Sequence, residues 1–247
     1  MKEERFRKIL DILAEKEYVS VETLSKTLYV SMPTVRRDLN AMQDMGLVSR
    51  SHGGVTMRRG ETYGGPAVYR MGVNSGEKLK LDRAAALLAR DNSMIFMDES
   101  TTTLHIIDYL TSYKNITIVT NSISVLQLVS KYGMESICLG GSMSYDTMSA
   151  YGSETERMVQ NYGIDIMFFS SSALTPRGCI ADYCAPANSL RREVLRIADK
   201  KVFLCDESKF MKSAAYILAP LKDIDNIIVN APLPPDTDTG NADVTVV

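Results

Sequence analysis

The 247 residues are enough for one large domain or for a small domain joined to a medium one, and 45% hydrophobic with 23% charged residues is ordinary for a globular protein. No apolar run reaches the roughly 18 residues of a transmembrane helix, and the N-terminus lacks the apolar segment of a signal peptide, so we expect a cytoplasmic protein that does not enter a membrane. Residues 1–60 carry 11 Lys and Arg against 8 Asp and Glu, whereas the rest carries 17 against 22, so a weakly basic head precedes an acidic body.

The head shows the pattern of three helices and a hairpin. Apolar residues recur at helical spacing over residues 3–16. Ser20 is suited to cap a second helix near residues 21–28, and Ser31 is suited to cap a third. The segment LVSRSHGGVTM that follows alternates apolar and polar residues around two glycines, which predicts a short β-hairpin. We therefore assign residues 1–56 to a winged helix-turn-helix domain that binds DNA.

The third helix carries two adjacent arginines, Arg36 and Arg37, near its start. A recognition helix presents its N-terminal residues to the major groove, where arginine is suited to guanine or to phosphate. The alternative is a solvated helix face on which Asp38 offsets the two arginines. The order of the elements favours operator DNA as the partner. The candidate DNA contacts are Ser31, Thr34, Arg36, Arg37, Arg50 and His52.

Residues 57–77 contain five glycines, one proline and no sustained period, which is typical of a linker. In residues 78–247, apolar strands that end in polar residues alternate with helices, which predicts a parallel α/β sheet. The predicted strands are SMIFMD, ITIVTN, ESICLGG, IDIMFFSSS, KVFLCDESK and IDNIIVN, with ADVTVV as an edge strand and TTTLHIIDYLTSY among the helices. Ligands bind such sheets beyond the carboxyl ends of the strands.

These strand ends carry groups suited to a phosphorylated ligand. Ser100, Thr101 and Thr102 follow a strand, and they are predicted to open a helix whose free N–H groups would bind an anion. Plain helix capping is the alternative for these hydroxyls. Lys209 would neutralise a phosphate, and Lys78 is either a second cation or a solvated helix lysine. The other candidates are Asp98 and Asn121, for sugar hydroxyls, and Thr120, Gly140 and Gly141.

The stretch VSMPTVRRDLNAMQDMGLVSRSHGGV, residues 30–55, resembles the DeoR family of bacterial repressors, whose pattern is V-S-x-x-T-[IV]-R-R-D-L, a helix end with Gly, and R-x-H-G-G. Further matches to this family are Asn74, Lys78, DESTT at 98–102, TNS at 120–122, GG at 140–141, YG at 151–152 and DESK at 206–209. The resemblance implies a sensor domain similar in fold to ribose-phosphate isomerase and glucosamine-phosphate deaminase, and it adds Gly152 to the effector contacts.

The resemblance further implies a repressor of a sugar catabolism operon that a phosphorylated sugar releases from its operator. A homo-oligomer, dimer or tetramer, is expected because half-site readers bind palindromes.

Three features of the sequence depart from the family pattern. Glu99 stands where the family has Ser, and SSSA at 170–173 replaces a glycine-bearing segment. The acidic residue expected before the penultimate helix is not obvious near APANSLRR. Glu99 must point away from a phosphate or pair with a cation such as Lys78.

Two other functions stay open. An isomerase or deaminase would need a positioned base and acid, but His52 belongs to the hairpin, His105 to a helix, and nothing in the sequence pairs Asp98 with Asp182. We therefore predict no enzyme. A DNA-binding regulator that senses a protein partner would not respond to any sugar phosphate. No metal or cofactor is expected, because the cysteines, Cys138, Cys179, Cys184 and Cys205, show no C-x-x-C spacing and are expected to be free thiols.

Overall fold

The computed structural model describes residues 2–16, 18–44, 47–51, 53–57, 70 and 75–247. They fall into two compact units that divide between residues 73 and 74. Most of the predicted linker lies outside the described residues, and the domain bounds 1–56 and 78–247 stay predictions. No helix in the described part of the chain is long and apolar enough to span a membrane.

The first unit is a winged helix-turn-helix, as predicted. Its elements are α1 (Lys2–Glu15), β1 (Val19–Ser20), α2 (Val21–Leu28), α3 (Met32–Asp44), β2 (Val48–Ser51) and β3 (Gly54–Met57). Strands β2 and β3 form the antiparallel hairpin, and β1 pairs with the outer side of β3. The three helices bury their apolar faces in one core. The Oγ atom of Ser20 caps α2 by accepting the N–H of Thr23 at 3.0 Å.

The second unit contains helices and strands in alternation. Its helices are α4 (Ser75–Ala86), α5 (Ile106–Leu110), α6 (Ile123–Lys131), α7 (Ser153–Val159) and α8 (Ala185–Ile197). Its strands are β4 (Met94–Met97), β5 (Thr117–Thr120), β6 (Glu135–Cys138), β7 (Ser142–Ser144), β8 (Ser149–Tyr151), β9 (Ile164–Phe169), β10 (Ala173–Leu174), β11 (Cys179–Asp182), β12 (Ala198–Cys205), β13 (Tyr216–Pro220), β14 (Asn226–Val229) and β15 (Asp243–Val246).

Seven of these strands form a parallel sheet in the order β15-β14-β12-β9-β4-β5-β6. The predicted parallel α/β architecture is therefore confirmed. Its central strands are buried on both faces, as expected when helices cover a parallel sheet. The sequence reading missed two small antiparallel additions, the hairpin β7–β8 and the sheet β10-β11-β13.

The segment after β4 differs from its prediction. Residues 101–105 form turns, and the helix begins only at Ile106. Local side-chain bonds explain the delay, because Ser and Thr hydroxyls compete with helical backbone bonds. The Oγ atom of Ser100 accepts the N–H of Thr102 at 3.0 Å, and the hydroxyl of Thr103 donates to the carbonyl of Ser100 at 3.1 Å. The predicted helix N-terminus at Ser100–Thr102 is therefore wrong.

Candidate functional site

Asp98 organises the loop that follows β4, which we call the hydroxyl loop (residues 98–103). Its Oδ1 atom accepts the N–H of Ser100 and the hydroxyl of Thr103, both at 3.0 Å. Its Oδ2 atom accepts the N–H of Ser170 at 3.2 Å and Nε of Arg191 at 3.0 Å. A carboxylate has about four acceptor positions, and these four bonds fill them. Asp98 is thus a structural centre of the loop, and the prediction that it holds sugar hydroxyls loses its basis.

Two lysines meet the hydroxyl loop from different elements. Nζ of Lys78, on α4, donates to Oγ1 of Thr101 at 3.1 Å. Nζ of Lys209, in the 3-10 turn after β12, donates to Oγ1 of Thr102 at 2.9 Å and to Oγ of Ser170 at 2.8 Å. The structure therefore brings together four of the predicted site residues. Ammonium groups beside adjacent hydroxyls can bind an anion with charge-assisted hydrogen bonds.

Arg191, on α8, is the residue that the sequence reading missed. It is 3% exposed and lies beside three carboxylates. Its NH2 atom is 2.7 Å from Glu99 Oε1 and 2.9 Å from Asp98 Oδ2, and NH1 is 3.0 Å from Asp182 Oδ2. Glu99 therefore pairs with Arg191 and not with Lys78. Asp182, at the end of β11, is an acidic residue shortly before α8, in the region where none was obvious from the sequence.

Burial and charge act in opposite directions within this cluster. Burial raises the pKa of Glu99 above its usual range, although Arg191 opposes this shift. Burial would also raise the pKa of Asp182, but Arg191 and the N–H of Cys184 together lower it. Burial alone would lower the pKa of Arg191, yet its carboxylate neighbours raise it well above normal. The guanidinium therefore stays charged, and the carboxylates differ in how firmly they hold a proton.

The residues after β5 have local partners. Oγ1 of Thr120 accepts the N–H of Ser122 at 3.0 Å, a strand-end turn that needs no ligand. The amide of Asn121 donates to the carbonyl of Ala150 at 2.8 Å, while its buried Oδ1 has no hydrogen-bond partner among the described residues. Gly152 precedes α7 with φ +119°. No hydrogen bond in the described part of the chain joins these three predicted residues to the hydroxyl loop. Asn121 keeps unused acceptor capacity.

Gly140 and Gly141 follow β6 and pack against the elements after it. The carbonyl of Gly140 accepts the hydroxyl of Thr155 at 2.6 Å. Gly141 has φ +146°, and a Cβ there would lie 2.6 Å from the backbone oxygen of Tyr151 and would collide with Thr155 Oγ1. Nothing lies within 4 Å of a Cβ built on Gly140. Close packing explains Gly141 without any ligand.

We expect Gly141→Ala to lower the free energy of unfolding by roughly 1–3 kcal/mol, since both the backbone conformation and the contact with Tyr151 oppose a side chain. Gly140→Ala is the matched control and should change it by less than about 0.5 kcal/mol. Urea denaturation of the two variants measures both values. Equal stability of the two variants would contradict the packing role of Gly141.

The exposed face of α3 carries the predicted DNA contacts. Arg36 and Arg37 are exposed, whereas Asp38 is buried and accepts two bonds from Arg5, at 2.7 and 3.1 Å. Asp38 therefore pairs with Arg5 and does not offset the two arginines, and their role in DNA binding stays a prediction. The hydroxyls of Ser31 and Thr34 lie 2.9 Å apart at the start of α3.

Arg50 joins the hairpin to α3. Its NH1 atom donates to Oδ1 of Asn40, on the exposed face of that helix. The hairpin and the helix thus present one continuous polar surface. His52 lies outside the described residues.

Two family models match the chain. The DeoR-like helix-turn-helix domain matches residues 5–59, and the DeoR C terminal sensor domain matches residues 73–231. The chain is 29% identical to the HTH-type transcriptional regulator IolR of Bacillus subtilis, over 94% of this chain and 93% of that protein. It is 27% identical to a putative aga operon transcriptional repressor of Escherichia coli O157:H7, over 95% and 88%. It is 30% identical to the L-fucose operon activator of Haemophilus influenzae, over 92% and 91%.

Among solved structures, a ribose 5-phosphate isomerase from Methanocaldococcus jannaschii matches 56% of this chain and 55% of its own, with 19% identity and a TM-score of 0.42. A TM-score of this size carries no argument about function. The family matches are decisive, because they cover the winged helix and six of the seven strands of the parallel sheet. The chain belongs to the DeoR family of DNA-binding transcriptional regulators.

Proposed function

We propose that this regulator represses a sugar catabolism operon and that a phosphorylated sugar, bound on the hydroxyl loop, releases it from its operator. The observation that carries the proposal is the convergence of Lys78 and Lys209 on the neighbouring hydroxyls of Thr101 and Thr102. One relative is named as the activator of the L-fucose operon, which supports a sugar, and another is named as a putative operon repressor. Repression is what the family resemblance favours.

The phosphate would lie against Ser100, Thr101 and Thr102, with the two lysines supplying the positive charge that a dianion requires. Asn121 is the better candidate for a sugar hydroxyl, since its Oδ1 is buried and has no hydrogen-bond partner among the described residues. Asp98 is no longer proposed for that role. The glycines at positions 140, 141 and 152 would shape the wall of the site through the backbone alone.

Lys209→Ala should weaken the binding of a phosphorylated sugar about tenfold or more, because it removes one charge-assisted bond and half of the cationic charge. Thr101→Val should act in the same direction. Both variants should keep DNA binding, which gives a repressor that is not released. A thermal-shift panel of phosphorylated sugars measures effector binding, and a gel shift with DNA from the promoter region of the protein's own gene measures DNA binding.

Lys80→Ala is the matched control for Lys209→Ala, since Lys80 is an exposed lysine of α4 that pairs with Glu77 at the surface. It should respond to the sugar as the wild type does. A normal response of Lys209→Ala at the same sugar concentration would place the phosphate elsewhere. If no sugar shifts the melting temperature of the wild type, a regulator that senses a protein partner is the better function.

The double variant Arg36→Ala/Arg37→Ala should weaken promoter binding by tenfold or more, since one bidentate arginine contact is worth about 1–3 kcal/mol. The fold should persist because both side chains are exposed. Lys26→Ala, an exposed cation of α2 paired with Glu22, serves as the control. Unchanged affinity in a gel shift would refute α3 as the recognition helix.

We also propose that the chain is not an enzyme and that it works in the cytoplasm as a homo-oligomer, dimer or tetramer. Asp98 and Asp182, the carboxylates considered for catalysis, both bond to Arg191, which makes each a poor general base. Oligomers are favoured because half-site readers bind palindromic operators. Absence of turnover of any sugar phosphate that stabilises the protein would support the first point, and light scattering tests the second.

A further inference from the structure

Three carboxylates share one guanidinium beside the hydroxyl loop. Asp98, Glu99 and Asp182 all lie within 3.0 Å of Arg191, and all four residues are buried. If every group were ionised, three negative charges against one positive charge would leave a net charge of −2 in surroundings with little water. Such an excess is costly, and one carboxyl that keeps its proton would halve it.

The hydrogen bonds show which carboxyl this is. Asp98 and Asp182 each accept further bonds from neutral donors, and for Asp182 these bonds favour the ionised form. The donors to Asp98 are Ser100, Thr103 and Ser170, and those to Asp182 are Ser172, Tyr183 and Cys184. Among the described residues, the side chain of Glu99 has only its own backbone N–H and NH2 of Arg191, which it shares with Asp98. Glu99 therefore has the fewest hydrogen bonds to stabilise its ionised form, and burial raises its pKa.

No second cation forms an ion pair with Glu99 within the described part of the chain. The charged groups that act most strongly on it are Arg191, Asp98 and Asp182. Tyr151 and Cys184 also face it, but burial and the charge of Glu99 raise the pKa of each, so both are neutral near pH 7. Lys78 and Lys209 place their ammonium groups on the hydroxyls of Thr101 and Thr102 instead.

We propose that anion binding on the hydroxyl loop is coupled to protonation of Glu99, so that a dianion binds together with a proton on that carboxyl. The proposal rests on the proposed effector site, because Glu99 directly precedes Ser100. A bound dianion adds negative charge beside a cluster that is already negative, and this favours the neutral form of Glu99. By linkage, anion binding takes up protons, and the affinity falls as the pH rises.

Sulfate is the probe that isolates this effect. A phosphate ester titrates near pH 6, whereas sulfate remains a dianion throughout the range from about pH 5.5 to about pH 8.5. Titration calorimetry of the full chain should show that the affinity for sulfate falls with pH, by up to about tenfold per pH unit. Glu99→Gln, which is neutral at every pH, should keep the low-pH affinity and lose most of this dependence. Glu135→Gln, an exposed glutamate of β6, should behave as the wild type does.

The outcomes distinguish a failure of the role of Glu99 from a failure of the proposed anion site. All other titratable groups of the effector site are the same in the wild type and in Glu99→Gln, so the difference between the pH slopes of these two proteins reports Glu99. Equal slopes for the wild type and Glu99→Gln would overturn the role of Glu99 while leaving the anion site intact. Failure of the wild type to bind sulfate at any pH would overturn the anion site and this inference together.

A second measurement needs no variant, which matters if Glu99→Gln folds poorly. Sulfate binding by the wild type is measured at about pH 6, 7 and 8, each time in two buffers whose heats of ionisation differ. The difference in observed heat counts the protons that the complex takes up. Net uptake at any of these pH values supports the proposal, and a count of zero or a release at all of them contradicts it.

Discussion

Replacing Arg191 with methionine is expected to lower the free energy of unfolding by about 3–5 kcal/mol, since it leaves three buried carboxylates without their counter-charge. Methionine keeps much of the length of the side chain, so the loss reports charge more than volume. Against a typical domain stability of about 5–15 kcal/mol, the second unit would be marginal or unfolded at neutral pH. Urea denaturation near pH 7 measures the effect.

Arg196→Met is the control on the same helix. Arg196 is largely exposed and pairs with Glu193 at the surface, where such a pair is worth about 0–1 kcal/mol. Adding Glu99→Gln to Arg191→Met should recover part of the loss, because it removes one uncompensated carboxyl. A loss for Arg191→Met no larger than that for Arg196→Met would contradict the view that the guanidinium holds the carboxylates together.

Features set by neighbouring residues could be predicted from the sequence. The caps at Ser20 and Ser31 depend on contacts three residues away, and the parallel sheet on short apolar runs with polar ends. The start of α5 was predicted too early, because hydroxyl bonds within the loop compete with the helix. The position of Lys209 near the loop followed from the strand ends meeting at one edge, whereas the sequence left Lys78, on α4, open as a second cation or a solvated helix lysine.

Arg191 could not be found in this way. Its bonds to Asp98 and Glu99 join residues 93 and 92 positions apart in the chain, and no local pattern encodes such a pairing. One feature of the sequence did indicate that a cation was missing from the predicted site. Glu99, an acidic residue inside a loop expected to bind an anion, required a cation, and the nearer candidate Lys78 was the wrong one. Neither the spacing of residues along the chain nor a helical pattern reveals a buried ion cluster whose members come from three separate elements.

Asp82→Asn is expected to stabilise the protein by about 2–4 kcal/mol near pH 7. Asp82 lies fully buried on α4, one turn after Lys78. Burial raises its pKa from the ordinary 3.8 to about 9, and the charge of Lys78 opposes the shift only in part. The folded protein therefore keeps a proton at neutral pH that the unfolded chain has lost. Asparagine is also neutral when buried, but its unfolded form gains nothing by ionising.

The difference in stability between Asp82→Asn and the wild type should depend on pH. Below about pH 4 both states of the wild type are protonated at Asp82, so the carboxyl costs no stability there. As the pH rises from 3.8 towards 9, the unfolded chain is increasingly favoured, by about 1.4 kcal/mol per unit. The advantage of Asp82→Asn over the wild type should thus be small near pH 4 and grow through neutral pH. Asp223→Asn, at an exposed aspartate, should show no such growth. Urea denaturation across this range would contradict the prediction if the curves for Asp82→Asn and the wild type ran parallel, since a buried carboxyl that keeps its proton cannot give that result.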